Sequence, residues 1–465
     1  MNRFLVREHV SSILVAALGS TFGVALLLVT DDLATYLKHT DAVNHAAVQV
    51  VLRFIAFVFI AVALYTAAVI TSNTFATIIA GRTRTIALLR LLGATARSQR
   101  RAVAREGLLV GLLGSAAGLA AGVGGTALAV WASTAGGLLP RLPFTYFSPI
   151  ELLPPVAVLL TTWLASWIGA RRVLVVSPVQ ATGAAEERPA SEVARRRGRN
   201  VWSAVLFIAG VAVLLLGVWI GRLSPEGLLV GVVGGMLSFT GVVLGAEVVM
   251  PPALRLVGLL FGRNAPAALA GRNALRYPER SARTTIGIVI GVTLVTMFSV
   301  AVQTFIVMVD DVRRSDPQSF QQTGQILTVV AVIFSAISGF SALLAAIGMV
   351  NNLSLSVLQR IRELGLLRAL GFTGRQVRGM IVAESAQLTL TAVFVGLLLG
   401  TFYGWAGAEA MLGSARGGPG IIWPAFPPVL LAVIVTAAAL LIWVASAAPA
   451  RRATRVTPVD ALAVD

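Results

Sequence analysis

The residues able to do chemistry are few, and their types narrow the options at once. Cysteine is absent, which leaves no disulfide framework, thiolate metal site or cysteine nucleophile. No His-Glu-x-x-His and no Gly-x-Ser-x-Gly occurs. A phosphate-binding P-loop sets a lysine directly after its glycines. The single lysine is Lys38, followed by His39, so these residues build no such loop and any ATP work falls to another subunit. His39, His45, Asp31, Asp32 and Asp41 cluster with metal-donor types, but a solvated stalk is the simpler reading. Asp310, Asp311, Arg313, Arg314 and Asp316 read as a charge-paired helix extension. What remains is arginine. All but one of the 37 basic residues are Arg, and one pattern of them, Arg-x-x-x-Leu-Leu-Arg-x-Leu-Gly, occurs twice, from Arg84 to Gly93 and from Arg362 to Gly371. Such a pattern makes no bonds; it offers a surface to grip.

The elements that carry this pattern are set by composition. The 465 residues are 57% hydrophobic and 12% charged, against roughly 25% charged in a soluble domain. Mean hydropathy is +0.86. A soluble chain this apolar would expose large greasy patches. Soluble enzyme, disordered chain and nucleic-acid-binding domain are excluded as readings of the whole chain. A membrane helix needs about 20 apolar residues. Ten stretches qualify: Val10–Thr30, Val50–Ser72, Gly107–Trp131, Ser148–Ile168, Val201–Gly221, Gly227–Val249, Thr284–Val309, Ile326–Val350, Ser385–Gly407 and Val429–Ser446. They are too long and too uniformly apolar for barrel strands. The first is expected to be a retained helix, because Asp31-Asp32 stands where a signal peptide would have small cleavage-site residues.

Arginine also orients the chain, because basic residues concentrate in cytoplasmic loops. With the N-terminus inside, only Lys38, Arg53, Arg141, Arg222, Arg313, Arg314 and Arg416 fall outside. Both termini are then cytoplasmic. The net charge of +17 sits in inner loops beside anionic headgroups, so no nucleic acid is needed to explain it. No external segment is long enough for a globular domain of its own.

The arginine pattern belongs to a longer repeat. Asn73–Gly122 aligns with Asn351–Gly400 without a gap, pairing Arg84 with Arg362, Leu89 with Leu367, Arg90 with Arg368, Gly93 with Gly371, Glu106 with Glu384, and Gly118 and Gly122 with Gly396 and Gly400. Ala170-Arg171-Arg172 and Pro178 then match Ala450-Arg451-Arg452 and Pro458. Spans one to four recur as spans seven to ten, with five and six inserted. An even number of crossings separates equivalent helices, so the two repeats run in parallel. The expected fold is an all-α integral membrane protein with ten transmembrane helices, as two parallel four-helix repeats separated by a two-helix insert. Residues 1–180 make the first repeat, 181–200 an Arg-rich linker, 201–250 the insert, 251–283 a cytoplasmic amphipathic connector and 284–465 the second repeat. Within Leu355–Arg378, apolar residues recur every three or four positions up to Gly371, and Ile86, Leu89, Gly93 and Thr95 repeat the arrangement. Each copy reads as a short amphipathic helix, a glycine break and an Arg-rich helix entering the next span. Interfacial lipid binding would not require the same pattern twice; a two-fold symmetric partner would. Gly118, Gly122, Gly396 and Gly400 are expected to be close helix-packing positions. Glu106 and Glu384 are expected at helix N-termini, where the dipole favours a carboxylate. Arg53 can snorkel to the outer interface. Glu247 has no counterpart in the repeat.

At these residues the chain resembles the FtsX-like permease family, the type VII ABC transporter permeases that include macrolide-exporter, lipoprotein-releasing and bacitracin-resistance types. The resemblance rests on Arg360-Ile-Arg362-Glu363-Leu-Gly365-Leu-Leu-Arg368-Ala-Leu-Gly371, on Glu384 with Gly396 and Gly400, and on Pro449-Ala-Arg-Arg with Pro458-Val-Asp-Ala-Leu462. Arg272-Asn-Ala-Leu-Arg276 is similar to the family's approach to its first helix. Thr85 and Ala87 stand in the first repeat where Glu363 and Gly365 stand in the second, so the halves are expected to couple unequally. The resemblance implies a soluble ATPase dimer that binds ATP and Mg, with this chain holding no cofactor and catalysing nothing. One permease per two ATPases is expected, the alternative being a permease homodimer. Arg84, Leu89, Arg90, Gly93, Arg362, Glu363, Gly365, Arg368 and Gly371 are the expected ATPase-coupling residues. The expected function is mechanically coupled efflux or extraction of a lipid, peptide or drug from a cell membrane; the alternative is a signalling scaffold that relays ATPase motion to an external protein partner.

Overall fold

The computed structural model describes residues 3–39, parts of 57–79, 83–136, 147–170, 197–261 apart from 225, parts of 271–275, 278–315, 373–413 and 423–455. Its regular elements are helices: α1 (Arg3–His39), α2 (Thr83–Leu91), α3 (Ala96–Ala135), the 3-10 turn Pro149–Leu152, α4 (Leu153–Gly169), α5 (Arg197–Gly221), α6 (Gly227–Leu244), α7 (Ala246–Gly258), α8 (Pro278–Ser315), α9 (Gly374–Leu412) and α10 (Pro428–Arg455). Among the described residues, 7 helices are long and apolar enough to cross a membrane, and Ile60–Ser72 and Pro428–Trp443 are shorter apolar helices. The expected span Ile326–Val350 lies outside the described residues. Leucines, valines and isoleucines stay exposed along the outward faces, as lipid contact requires, and Trp131, Trp202, Trp219 and Trp443 sit near span ends, where amphipathic rings favour the interface.

Two units form, Met1–Ala185 and Glu186–Asp465. In the first, α1 packs along α3, and α4 packs on both. In the second, α8 packs along α9, α10 packs on α9 and, at fewer points, on α8, and the insert helices α5 and α6 pair with each other and lean on α9. The two helix neighbourhoods are therefore of the same kind in both repeats. A Cβ added at Gly122 would lie 2.9 Å from Val24 Cβ, and one at Gly118 would lie 2.5 Å from Ser20 Cβ. In the second repeat, a Cβ at Gly396 would lie 2.7 Å from Val292 Cβ, and one at Gly400 would lie 2.5 Å from Thr296 Cβ. Real Cβ atoms do not approach so closely, so glycine is what lets these backbones meet. The contacts also fix a register: Ser20 and Val24 of α1 occupy the places of Val292 and Thr296 of α8.

The structure departs from expectation at two points. The sixth stretch does not run unbroken to Val249: α6 ends at Leu244, Gly245 donates to the Gly241 carbonyl at 2.9 Å, and α7 starts afresh. A Cβ on Gly245 would crowd Ser203 Oγ at 2.9 Å, so this close approach to α5 requires glycine. The break also turns Glu247 into the first turn of α7, where Arg199 of α5 grips it with both guanidinium nitrogens. This bidentate pair accounts for Glu247 and ties α5 to α7. Second, Glu106 and Glu384 are not at helix N-termini. Their helices start at Ala96 and Gly374, two to three turns earlier, so the dipole, which acts within the first turn, does not explain them.

Candidate functional site

The first copy of the arginine pattern folds as α2, nine residues from Thr83 to Leu91. Ile86 and Ala87 are buried against Ile79 and Ala170, with Val103 of α3 packed beside them. This small cluster fastens α2 to the foot of its own unit. Leu88, Leu89, Leu91 and Leu92 point away from it and are exposed, Leu92 at 84%. The stop is chemically specified. Gly93 adopts φ +99, a conformation that strains any residue with a Cβ. Ala94 N–H donates to Leu89 O at 2.9 Å and Gly93 N–H to Arg90 O at 3.1 Å, which is the Schellman arrangement. Thr95 then caps α3 through its side chain, accepting the Ser98 N–H at 3.1 Å.

The leg that follows is basic and held in place. Arg97, Arg100, Arg101 and Arg105 lie on the first turns of α3. The Arg100 guanidinium stacks 3.7 Å from the Trp167 ring centroid and donates to the Trp167 carbonyl at 3.4 Å. Gly107 faces Ser166, leaving no room for a side chain between α3 and α4. A push on α2 therefore reaches α3 and the end of α4 through packed contacts. What the arrangement offers is a projecting leucine edge flanked by cations, on a lever continuous with a membrane helix.

Arg84 stands in the first turn of α2, Leu89 on its exposed side, Arg90 half-buried in its last turn, and Gly93 at its stop. Arg362, Glu363, Gly365, Arg368 and Gly371 lie outside the described residues. Just beyond them, Thr373 caps α9 as Thr95 caps α3, here in a capping box with Gln376. The expected single apolar face of α2 is in fact divided: Ile86 turns inward, while Leu89 and Leu92 turn out. The anchoring role of Ala87 and the Arg100–Trp167 stack were missed. The signal for the first was a run of leucines too dense for one face of a nine-residue helix.

A model of the FtsX-like permease C-terminal region matches residues 57–178 and again 335–458. The chain belongs to the FtsX-like permease family. The two matched ranges follow the internal repeat and take in both copies of the arginine pattern. Together with the apolar helices, they make the chain a multi-pass membrane protein. It is 30% identical over 141 residues to the uncharacterized ABC transporter permease YknZ of Bacillus subtilis, covering 30% of this chain and 33% of that one. It is 29% identical over 140 residues to the macrolide export ATP-binding/permease protein MacB of Rhodopirellula baltica, 30% of this chain and 19% of that one. It is 31% identical over 83 residues to an uncharacterized ABC transporter permease of Methanocaldococcus jannaschii, 18% of this chain and 21% of that one. The matches thus span a third or less of the length of these relatives.

Proposed function

We propose that this chain is the permease subunit of an ATP-driven ABC transporter that expels a hydrophobic or amphipathic compound. It is driven by a separate ATPase that binds ATP and Mg. The observation that carries this reading is α2: a short arginine-bearing helix with exposed leucines, stopped by a glycine in the left-handed region, whose sequence pattern recurs at Arg362–Gly371. A pair of such handles suits a two-fold ATPase dimer, one permease to two ATPases, both handles on the cytoplasmic side. Relatives named as ABC transporter permeases support the class, and the export in the name of MacB supports the direction. Closure of the ATPases on ATP pushes α2 and its counterpart, α3 and the adjoining spans tilt, and the cargo leaves at the outer face. Lateral capture from the bilayer is the simple route, because the described spans expose many leucines, valines and isoleucines.

The test is co-purification with a cognate ATPase, followed by its turnover in lipid. Arg84→Glu combined with Glu363→Lys reverses one charge on each handle, and turnover in the complex is expected to fall at least several-fold. Turnover equal to that of the unmodified complex would refute the coupling assignment. Efflux of a lipophilic reporter from cells separates a transporter from a complex that only relays motion.

A further inference from the structure

At the outer end of the Met1–Ala185 unit, α1 continues past its apolar stretch and carries Asp31 and Asp32. They lie by the 3-10 turn Pro149–Leu152, which packs on α1 and leads into α4. Glu151 of that turn is 0% exposed. Its Oε2 accepts the Ser148 backbone N–H in a capping box, while its Oε1 is buried with no hydrogen-bond partner. Asp32 is only partly buried and opens the group to the surface. Burial, then Asp31, then Glu151 push the Asp32 carboxyl from 3.8 up to about 6. The outer half of α3 and the whole of α4, which pack here, bring no ionisable side chain. Enclosed carboxyls of this kind take up protons or hold a cation.

The second repeat is built differently at the equivalent position. Continued outward, the register that pairs Val24 with Thr296 places Asp32 opposite Thr304. There the Thr304 hydroxyl simply accepts the Ala425 N–H at 3.1 Å, just before α10, and both partners are neutral. At this position one repeat has a neutral hydrogen bond and the other a carboxyl beside a buried acceptor with no hydrogen-bond partner, although Glu409 is buried at the same level of the second repeat.

We propose that Asp32 and Glu151 form a site for a primary ammonium group at the outer membrane interface. An ammonium brings three donors and asks for a few acceptors, which Glu151 Oε1 and the Asp32 carboxylate supply. A divalent cation asks for more: calcium takes about 6–8 oxygens. Among the described residues no set of three metal-ligating side chains converges, and Glu151 Oε2 is already held by Ser148. The ammonium belongs either to an amphipathic amine or to an ethanolamine lipid headgroup, both of which place it at this depth.

The probe is octylammonium, with octanol as the uncharged control, added to the full chain in phosphatidylglycerol nanodiscs and read by thermal unfolding. A ligand that binds only the folded state raises Tm. Octylammonium is expected to raise Tm by several degrees at pH 7.5, octanol not at all, and the affinity to fall about tenfold at pH 5, where Asp32 is mostly protonated. Asp32→Asn with Glu151→Gln is expected to abolish the shift; the glutamine keeps an oxygen for the Ser148 N–H, and Asp32→Asn alone serves if the double variant does not fold. Equal shifts from octanol, an undiminished shift in the variants, or a calcium-induced shift with no amine response would each overturn the assignment. With half the lipid exchanged for phosphatidylethanolamine, a higher starting Tm and a lost octylammonium response identify the headgroup as ligand; an unchanged response identifies a free amine. The readout uses no nucleotide and no ATPase, so its failure would leave the transport reading standing.

Discussion

Single residues carry the clearest physical consequences. Asp32 holds its proton more tightly in the folded chain than in the unfolded one, so its contribution to stability is full below about pH 4 and is lost as pH rises through about 6. Asp32→Asn is therefore expected to raise Tm at pH 7.5 in the absence of amines and to leave it unchanged at pH 4, a difference that two melting curves resolve. The Arg199–Glu247 pair has the opposite character. Its two charge-assisted bonds fasten α5 to α7, and Arg199 keeps 32% of its side chain exposed. Glu247→Ala is expected to cost about 1.5 kcal/mol, at the low end for hydrogen bonds to charged groups because of that exposure. The swap Arg199→Glu with Glu247→Arg is expected to recover part of it in a chemical or thermal melt. Neither site was legible in the sequence. Glu247 looked solitary because its partner is 48 residues away. Ser148-Pro-Ile-Glu151 has the spacing of a capping box, but it runs straight into an apolar span, and the burial of Glu151 depends on α1, which no local pattern reveals.

At the scale of elements, the apolar spans and the Gly-x-x-x-Gly pairs could be read directly, because lipid demands long apolar runs and close helices demand missing side chains. The partner of each glycine face could not: α1 has a Gly-x-x-x-Gly pair of its own, Gly19 and Gly23, but these face Val158 and Pro154 while Ser20 and Val24 meet the glycines of α3. Gly118→Leu is expected to destabilise the α1–α3 pair by about 1–3 kcal/mol through overpacking. Gly125→Ala, with nothing within 4 Å of its added Cβ, is expected to be neutral or slightly stabilising in the same melt. The break at Gly245 is not legible in the sequence, because glycines are common inside membrane helices and the approach to Ser203 is a tertiary contact. On α2, the stop at Gly93 was legible and the division of its faces was not, since burial of Ile86 and Ala87 depends on Ala170, far along the chain. Gly93→Val should cost about 1–2 kcal/mol in the left-handed region. It is expected to speed hydrogen exchange of the α2 amides while leaving α4 unchanged.

For the whole molecule, the duplicated pattern is what joins sequence to function. The pattern occurs twice, and the described copy folds as a projecting helix before α3, which suits a symmetric partner. One asymmetry is then legible: Thr85 and Ala87 stand in the first copy of the pattern where Glu363 and Gly365 stand in the second. The absence of native cysteine makes the central claim directly testable with one introduced thiol. Leu92→Cys places it on the exposed leucine that directly follows α2. Labelling by a membrane-impermeant maleimide in inverted vesicles, with and without the purified ATPase, reads both sidedness and contact. The account predicts rapid labelling in inverted vesicles that the ATPase suppresses several-fold, and none in intact cells. Labelling in intact cells, or labelling in inverted vesicles that the ATPase leaves untouched, would contradict it.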